Sequence, residues 1–254
     1  MSFTVIIPAR LGSTRLPDKP LADIAGQPMV VRCAQQAALS CARQVLVATD
    51  SERVAQAVRD HGFQALLTDA DHPTGTDRLA QAAQMLTLGD GEIVVNVQGD
   101  EPLIAPEHID AAADLLARHA QADIATLAAP IRDADTLFNP NAVKVVCDLQ
   151  GRALYFSRAP VPWARDALAQ GERVLAPGLP ALHHIGLYAY RNRFLQRFAQ
   201  LPRGPLEHYE SLEQLRAMEN GFQIMVHRLE QIPAAGVDTP QDLERVRAYF
   251  ANRL

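Results

Sequence analysis

A chain of 254 residues, 48% hydrophobic and 21% charged, has the composition of a globular protein, which excludes a disordered, collagenous or low-complexity fibre. Its formal net charge of −5, from 24 basic and 29 acidic side chains, gives no overall attraction for a polyanion, so nucleic acid is not an expected partner. The apolar runs Val5-Ile6-Ile7 and Glu92-Ile93-Val94-Val95-Asn96-Val97 are strand-sized, far short of the roughly 20 residues that cross a bilayer, and no membrane insertion is expected.

Met1-Ser2-Phe3-Thr4 has neither the basic nor the apolar region of a secretory signal, so the expected compartment is the cytoplasm. Thr4-Val5-Ile6-Ile7-Pro8 reads as a strand buried on both faces, followed by a loop rich in Gly, Pro and charge. A helical pattern runs from about Pro28 to Ser40, where Cys33 reads as a buried, reduced thiol; Cys41 and later Cys147, with no C-x-x-C pair among the three, read the same way. Val45 to Thr49 reads as a second strand, Glu52 to His61 as a helix and Phe63 to Leu67 as a third strand. Ala70 to Thr76 reads as a loop, Asp77 to Met85 as a helix capped by Asp77 or Thr76, and Ile93 to Val97 as a fourth strand. Strands alternating with helices imply right-handed βαβ units, hence a doubly wound α/β fold with a mostly parallel sheet and helices on both faces.

Further along, Ile124 to Ala129, Val143 to Val146 and Ile185 to Tyr190 read as strands, and Leu206 to Asn220 as a helix, so the sheet becomes mixed. Arg158 to Pro180 holds Pro160, Pro162, Gly171, Pro177, Gly178 and Pro180 and is the expected lobe boundary or dimerisation arm. The last helix, Thr239 to Asn252, has Thr239 as N-cap, Pro240 at its first position and Asp242 in its first turn.

In open α/β sheets ligands bind beyond the carboxyl ends of the strands, and the first strand ends in Pro8-Ala9-Arg10-Leu11-Gly12-Ser13-Thr14-Arg15-Leu16-Pro17-Asp18-Lys19-Pro20. Small residues let backbone N–H groups approach phosphate oxygens, and Arg10, Arg15 and Lys19 supply positive charge. The loop matches neither G-x-x-x-x-G-K-[ST] nor G-x-G-x-x-G, and by itself it reads equally well as a solvated turn. Asp100 follows the fourth strand and points to the same crevice, where a carboxylate suits Mg²⁺; Asp100 could equally form a turn, and Asp238 could belong to the cap of the last helix.

The spacing of Pro-Ala-Arg, Ser-Thr-Arg-Leu-Pro, Lys-Pro and then L-x-x-I-x-G-x-P over Leu21 to Pro28 resembles the nucleotide signature of the cytidylyltransferases that activate acidic sugars. Ala48-Thr49-Asp50, Thr74 to Ala80, Asn96 to Pro102, Phe138 to Lys144, Tyr155 to Ala159, His184 to Tyr188, Pro205 to Glu207, Glu213 to Arg216 and Gly236 to Pro240 resemble further blocks of that family, in the family's order. The resemblance covers almost the whole chain and is nearest to the type that activates 3-deoxy-manno-octulosonate (KDO). Leu11 stands where an aromatic is usual, and Asp18 stands where a glycine is usual beside Lys19; its carboxylate is expected to face solvent.

The resemblance implies a nucleotide-diphosphosugar-transferase-like fold with a smaller sugar-binding and dimerisation lobe. Residues 1–130 would mainly bind nucleotide, 131–235 mainly sugar and a second subunit, and 236–254 would carry an acidic metal ligand and the last helix. It also implies CTP and KDO as substrates, Mg²⁺ as cofactor and a homodimer contacting through the Pro-rich segment and the strand Ile185 to Tyr190. Ala9, Arg10, Ser13, Arg15, Lys19, Thr74, Gly75, Arg78 and Gln98 are the implied CTP-binding residues, and Arg10, Lys19, Asp100 and Asp238 the implied catalytic set. Asp100 and Asp238 would hold the metal. Arg158 would meet the sugar's carboxylate as a planar two-pronged donor. His184, Tyr188, Glu213 and Gln214 would meet its hydroxyls, although a packed pair on a strand and exposed polar residues on a helix account for the same four residues. Glu207, Lys144 and Arg191 are left without a role. CMP-sialate or amino-KDO synthesis, and a non-catalytic nucleotide-binding homologue, are the alternatives.

Overall fold

β1 (Phe3–Ala9) sends Val5, Ile7 and Ala9 into one apolar cluster and Ile6 into another, because successive side chains of a strand point to opposite faces. An apolar run of this kind therefore needs cover on both sides, and the chain supplies it. The computed structural model describes residues 2–12 and 16–251.

After β1 come a short 3-10 turn (Lys19–Leu21), the small hairpin β2 (Asp23–Ile24) and β3 (Gln27–Pro28), and α1 (Met29–Ala37). Next are β4 (Gln44–Thr49), α2 (Glu52–Asp60), β5 (Gln64–Leu67), α3 (Gly75–Met85), β6 (Ile93–Asn96), α4 (Pro106–Arg118) and β7 (Ile124–Pro130). The second half adds α5 (Ala134–Phe138), β8 (Lys144–Cys147), β9 (Ala153–Ser157), β10 (Leu182–Arg191), α6 (Asn192–Phe198), α7 (Pro205–Glu210), α8 (Glu213–Glu219), β11 (Ile224–Arg228) and α9 (Pro240–Ala251).

One sheet of nine strands runs through both halves in the order β11-β7-β10-β6-β1-β4-β5, with β8 and β9 branching from β10. β1 is parallel to β4 and β6, β4 to β5 and β11 to β7, whereas β10 is antiparallel to β6, β7 and β8. Val30 of α1, Val54 of α2, Ile109 of α4 and Val246 of α9 cover one face; Leu79 of α3, Phe194 of α6 and Leu215 of α8 cover the other. The expected mixed, doubly wound sheet is present. Truncating a fully buried side chain such as Leu79 to alanine would cost about 2–5 kcal/mol.

Several features differ from the sequence reading, among them Cys41, which is exposed where a buried thiol was expected. α3 is capped by Thr74, not by Asp77 or Thr76: Thr74 Oγ1 accepts from the Asp77 N–H and the Asp77 carboxylate accepts from the Thr74 N–H, a closed capping box. The helix expected over Leu206 to Asn220 is two helices, broken at Ser211, which is left-handed at φ 52°. α4 emerges from a stretch that the pattern left unassigned, because much of its buried stripe is alanine. β10 is bonded on both edges through Tyr188 to Tyr190, so the strand offers no free edge there for a second subunit. α9 starts as expected, with Thr239 and Asp242 bonded reciprocally and Pro240 at its first position.

Candidate active site

The carboxyl ends of the parallel strands β6, β1, β4 and β5 point the same way, and the loops leaving β1, β5 and β6 open a cavity of about 500 Å³. Ala9, Arg10 and Gly12 line it from the first loop, Lys19 from the 3-10 turn, Thr74, Gly75 and Arg78 from the start of α3, and Gln98 and Asp100 from the loop after β6. Gly99 makes that convergence possible, since a Cβ there would come within 3.0 Å of the Pro8 carbonyl oxygen. Ser13 and Arg15 lie outside the described residues.

Asp238 arrives from the far end of the chain. The Val237 N–H donates to the Asp100 carbonyl at 2.8 Å, and a side chain at Gly236 would meet that same oxygen at 3.0 Å. A glycine and one backbone bond thus bring the two aspartates into one wall. Lys19 Nζ then donates to Asp100 Oδ2 at 2.6 Å and to Asp238 Oδ1 at 2.9 Å. Burial by itself would lower the Lys19 pKa, but Asp100 first and Asp238 after it outweigh burial and hold the ammonium above its ordinary value.

At the other end of the cavity Arg78 is buried and fixed, donating to Asp50 Oδ2 at 2.8 Å and to the Thr68 hydroxyl. His72 joins the lining, and its polarity is set by a neighbour. Gln81 Oε1 accepts from the Asp69 N–H at 2.8 Å, so it is the carbonyl oxygen, and His72 Nε2, 2.6 Å from the same atom, must carry the proton. In the neutral ring Nδ1 is then an acceptor.

A second cavity of about 450 Å³ adjoins the first and shares Gly75, Gln98 and Glu213 with it. His184, Tyr188 and Gln214 line this one, together with Thr76, Asn96 and Tyr190. Four residues apart in a regular strand, His184 and Tyr188 would stand roughly 13 Å from each other. β10 shifts register between Ile185 and Tyr188, taking up Gly186 and Leu187, and the two ring centroids come to 5.3 Å. Phe156, His184, Tyr188, Tyr190 and Phe194 form a continuous run of ring contacts along this wall. Burial pushes both tyrosine phenols up, so both hydroxyls remain donors, and burial followed by His183 pushes His184 down to about 3, so its ring is neutral. Thr76 Oγ1 donates to Glu213 Oε2 at 3.2 Å, tying α8 to α3, and burial raises the Glu213 pKa. Asn96 Oδ1 is buried with no hydrogen-bond partner, while the Asn96 side chain also hydrogen-bonds Tyr190.

A family model described as Cytidylyltransferase matches residues 4–231. The chain belongs to the cytidylyltransferase family. It is 41% identical to a solved CMP:2-keto-3-deoxy-manno-octonic acid synthetase complexed with CTP, at a TM-score of 0.88, with 100% of this chain and 99% of that chain covered. A cytidylyltransferase from Leptospira borgpetersenii serovar Hardjo-bovis shares the fold at 18% identity and a TM-score of 0.63, with 100% of this chain and 87% of that one covered.

Of the expected site residues that are described in this cytidylyltransferase, all but Arg158 line one of the two cavities. Arg158 turns instead to backbone: Nε donates to the Glu210 carbonyl at 2.7 Å, Nη1 to Pro140 at 3.0 Å and Nη2 to Ser211 at 3.5 Å. Direct contact with a sugar carboxylate is therefore not its position here. The three residues without a role prove structural. Lys144 is fully buried and donates to the Asn139, Ala142 and Arg158 carbonyls; Glu207 forms a buried two-pronged pair with Arg216; Arg191 donates to the Leu116, His119 and Ala122 carbonyls.

Asp18 behaves as expected of a residue facing solvent. Its side chain pairs with Arg53 at 3.1 Å, both half-exposed, and its backbone is left-handed at φ 50°, which is the reason that a glycine suits the position. Leu11 packs against the core cluster on the α1 face. His72, Asn96 and Tyr190 are among the site residues that the sequence reading did not single out. The polar turn Asp71 to Asp77 and the polar residue ending an apolar strand were the signals that could have found the first two. No helix among the described residues is long and apolar enough to cross a membrane.

Proposed function

We propose that this cytidylyltransferase joins CTP to KDO, giving CMP-KDO and pyrophosphate. The observation that carries the proposal is the junction of two cavities: one bears Arg10 and Lys19, the other hydroxyl, amide and imidazole groups, and they meet at Gly75, Gln98 and Glu213. A triphosphate in the first and a polyol acid in the second would bring the α-phosphate and the sugar hydroxyl together at that junction.

The anomeric hydroxyl oxygen attacks the α-phosphorus in line, the bond to the bridging oxygen breaks, pyrophosphate leaves and the hydroxyl proton passes to solvent. Arg10 and Lys19 bind the phosphate oxygens on which charge accumulates, and losing one such donor costs about 10²–10³ in rate. Cytosine offers an amino donor at N4 and acceptors at O2 and N3, which the start of α3, with Arg78 and His72, can read by hydrogen bonds. The polyol lies against Tyr188, Gln214 and the neutral His184, in a wall that alternates donors and acceptors.

Asp100 and Asp238 suit a divalent cation of the Mg²⁺ kind, which is ordinarily held by one or two carboxylates plus substrate phosphates; among the described residues no larger cluster of ligating side chains exists to hold one without the nucleotide. Bound there, the ion would neutralise charge on the α-phosphate and acidify the attacking hydroxyl.

A cytoplasmic homodimer that supplies CMP-KDO for lipopolysaccharide belongs to the same proposal, with the Pro-rich segment that exposes Trp163 as its contact. Pyrophosphate release with CTP and Mg²⁺ tests the reaction, comparing KDO with N-acetylneuraminate. Release that requires KDO supports it. Release only with the sialic acid keeps the transfer and overturns the choice of sugar; silence with both overturns the reading. Sedimentation showing only monomer at micromolar concentration would remove the dimer.

A further inference from the structure

α7 and α8 form a hairpin that is rigid in itself. Glu207 and Arg216 make two hydrogen bonds of 2.8 and 2.6 Å in a buried site, and Glu219 accepts from the Leu206 and Glu207 N–H groups. The corner between the helices delivers Ser211, Glu213 and Gln214 to the second cavity, so the hairpin's seat on the sheet decides where those groups stand.

Glu210, just before the corner, lines neither cavity and fastens that seat. Its carboxylate accepts from Ser157 Oγ at 2.6 Å, the Arg158 N–H at 2.9 Å and Tyr155 Oη at 3.3 Å, all on or just beyond β9. Arg158 answers in the opposite direction, its guanidinium donating to the Glu210 and Ser211 carbonyls. Lys144 holds the Arg158 carbonyl at 2.7 Å from below. Burial alone would raise the Glu210 pKa, but the bonds from Ser157, Arg158 and Tyr155 outweigh it, so the group is a carboxylate with its acceptors in use. Ser211 next to it is left-handed at φ 52°, a strained conformation for a non-glycine residue that persists only where its surroundings impose it.

We propose that Glu210 is a positioning residue for the second substrate: without touching it, Glu210 locks the α7–α8 corner to the end of β9 and so sets the placement of Glu213 and Gln214, with Ser157 and Arg158 as its partners. The proposal rests on the reading of the second cavity as the acid-sugar site. A displacement of about 1 Å at a reacting group can cost on the order of 10²-fold, so a modest loosening is measurable.

The test is initial-rate pyrophosphate release by the full chain, varying CTP and the sugar acid separately, with CTP affinity measured by calorimetry. Glu210→Ala should raise KM for the acid about tenfold or more, while KM and Kd for CTP stay within about twofold; Glu210→Gln, which keeps one acceptor oxygen, should fall between it and the wild type. Adding Ser157→Ala to Glu210→Ala should change KM less than twofold further, because both remove one network. An unchanged KM for the acid, equal losses for both substrates, or independent multiplication of the two substitutions would overturn the proposal. Should Glu210→Ala fail to fold, Glu210→Gln and Ser157→Ala carry the same comparison. The wild-type arm separates the two readings: turnover with a different acid overturns only the KDO assignment, and the variants are then read with that acid, whereas no turnover with any acid overturns both.

Discussion

Lys19 Nζ lies 2.6 Å from Asp100 Oδ2, and its second bond, to Asp238 Oδ1, makes one ammonium the bridge between two carboxylates drawn from distant parts of the chain. Without nucleotide, the lysine satisfies the charges that a divalent cation would otherwise meet. Lys19→Met should therefore let Mn²⁺ bind the nucleotide-free protein more tightly than it binds the wild type, while turnover falls about 10²–10³-fold through loss of a phosphate donor. Water proton relaxation reads the first effect. Equal Mn²⁺ affinity in both proteins would show that the lysine does not compete for the carboxylates.

Asp100→Asn and Asp238→Asn each keep the shape of the wall and remove one charge. Turnover should be lost in both, with the thermal midpoint close to that of the wild type because both side chains are partly exposed and Lys19 keeps its other partner. Rates near the wild-type value in the two variants would mean that neither carboxylate serves the reaction.

Asp18 separates backbone from side-chain effects beside the phosphate loop. Asp18→Gly relieves a left-handed residue, worth roughly 1–2 kcal/mol, but gives up an exposed ion pair with Arg53 and some chain stiffness, each about 1 kcal/mol or less. Stability should stay within about 1 kcal/mol of the wild type and KM for CTP within about twofold, whereas Asp18→Ala loses the pair and keeps the strained backbone. A large gain in CTP affinity for Asp18→Gly would show that the carboxylate faces the triphosphate after all.

The first cavity was legible in part, because Arg10 and Asp100 stand in loops after unmistakable apolar strands, whereas Thr74, Gly75, Arg78 and Asp238 came only through the family resemblance. Arg10 follows β1 and Asp100 follows β6, and parallel pairing aligns those ends. The second cavity was legible only through the family resemblance. His184 meets Tyr188 because β10 takes up two residues out of register, and Gly186 inside the strand was the one local hint. Glu213 reaches it through a break at Ser211 that no glycine or proline announces, imposed by Glu210 and its partners. Arg158 shows the remaining limit: its residue type suits a carboxylate, but only the fold reveals three carbonyl oxygens in reach.

Glu207 and Arg216 form the most buried ion pair of the hairpin, 1% and 7% exposed at their side chains. Burial would raise the Glu207 pKa, yet Arg216 and then Arg203 bring it below the ordinary value. Arg216→Ala leaves that carboxylate buried with only the more exposed Arg203, and should destabilise the protein by about 3–5 kcal/mol, the usual cost of breaking a buried pair from one side. The exchange Glu207→Gln with Arg216→Met should cost less than Arg216→Ala alone. Urea denaturation compares them, and a loss under 1 kcal/mol for Arg216→Ala would place the pair among weak surface contacts.

His184 gives a pH signature that distinguishes its role from that of an exposed histidine. In the folded chain its pKa is about 3 against an ordinary value of 6.5, because burial and then His183 disfavour the charged ring. Between those values the unfolded state binds the extra proton and the folded state does not, so stability contributed by the neutral ring is complete above about 6.5 and is lost as pH falls toward 3. Nε2 lies 3.0 Å from Thr126 Oγ1, whose hydroxyl also reaches the Ile185 and Leu187 carbonyls, so the ring nitrogen donates to the hydroxyl oxygen while the hydroxyl donates onward. In the neutral ring, which holds well above pH 3, Nδ1 is then an acceptor. Affinity for the sugar acid should therefore not follow a histidine titration between pH 6 and 8, and His184→Gln should flatten the decline of the thermal midpoint from pH 6.5 to 4. An unaltered slope in the variant, or a sugar KM that titrates near pH 6.5 in the wild type and not in the variant, would show that the ring charges while the protein is folded.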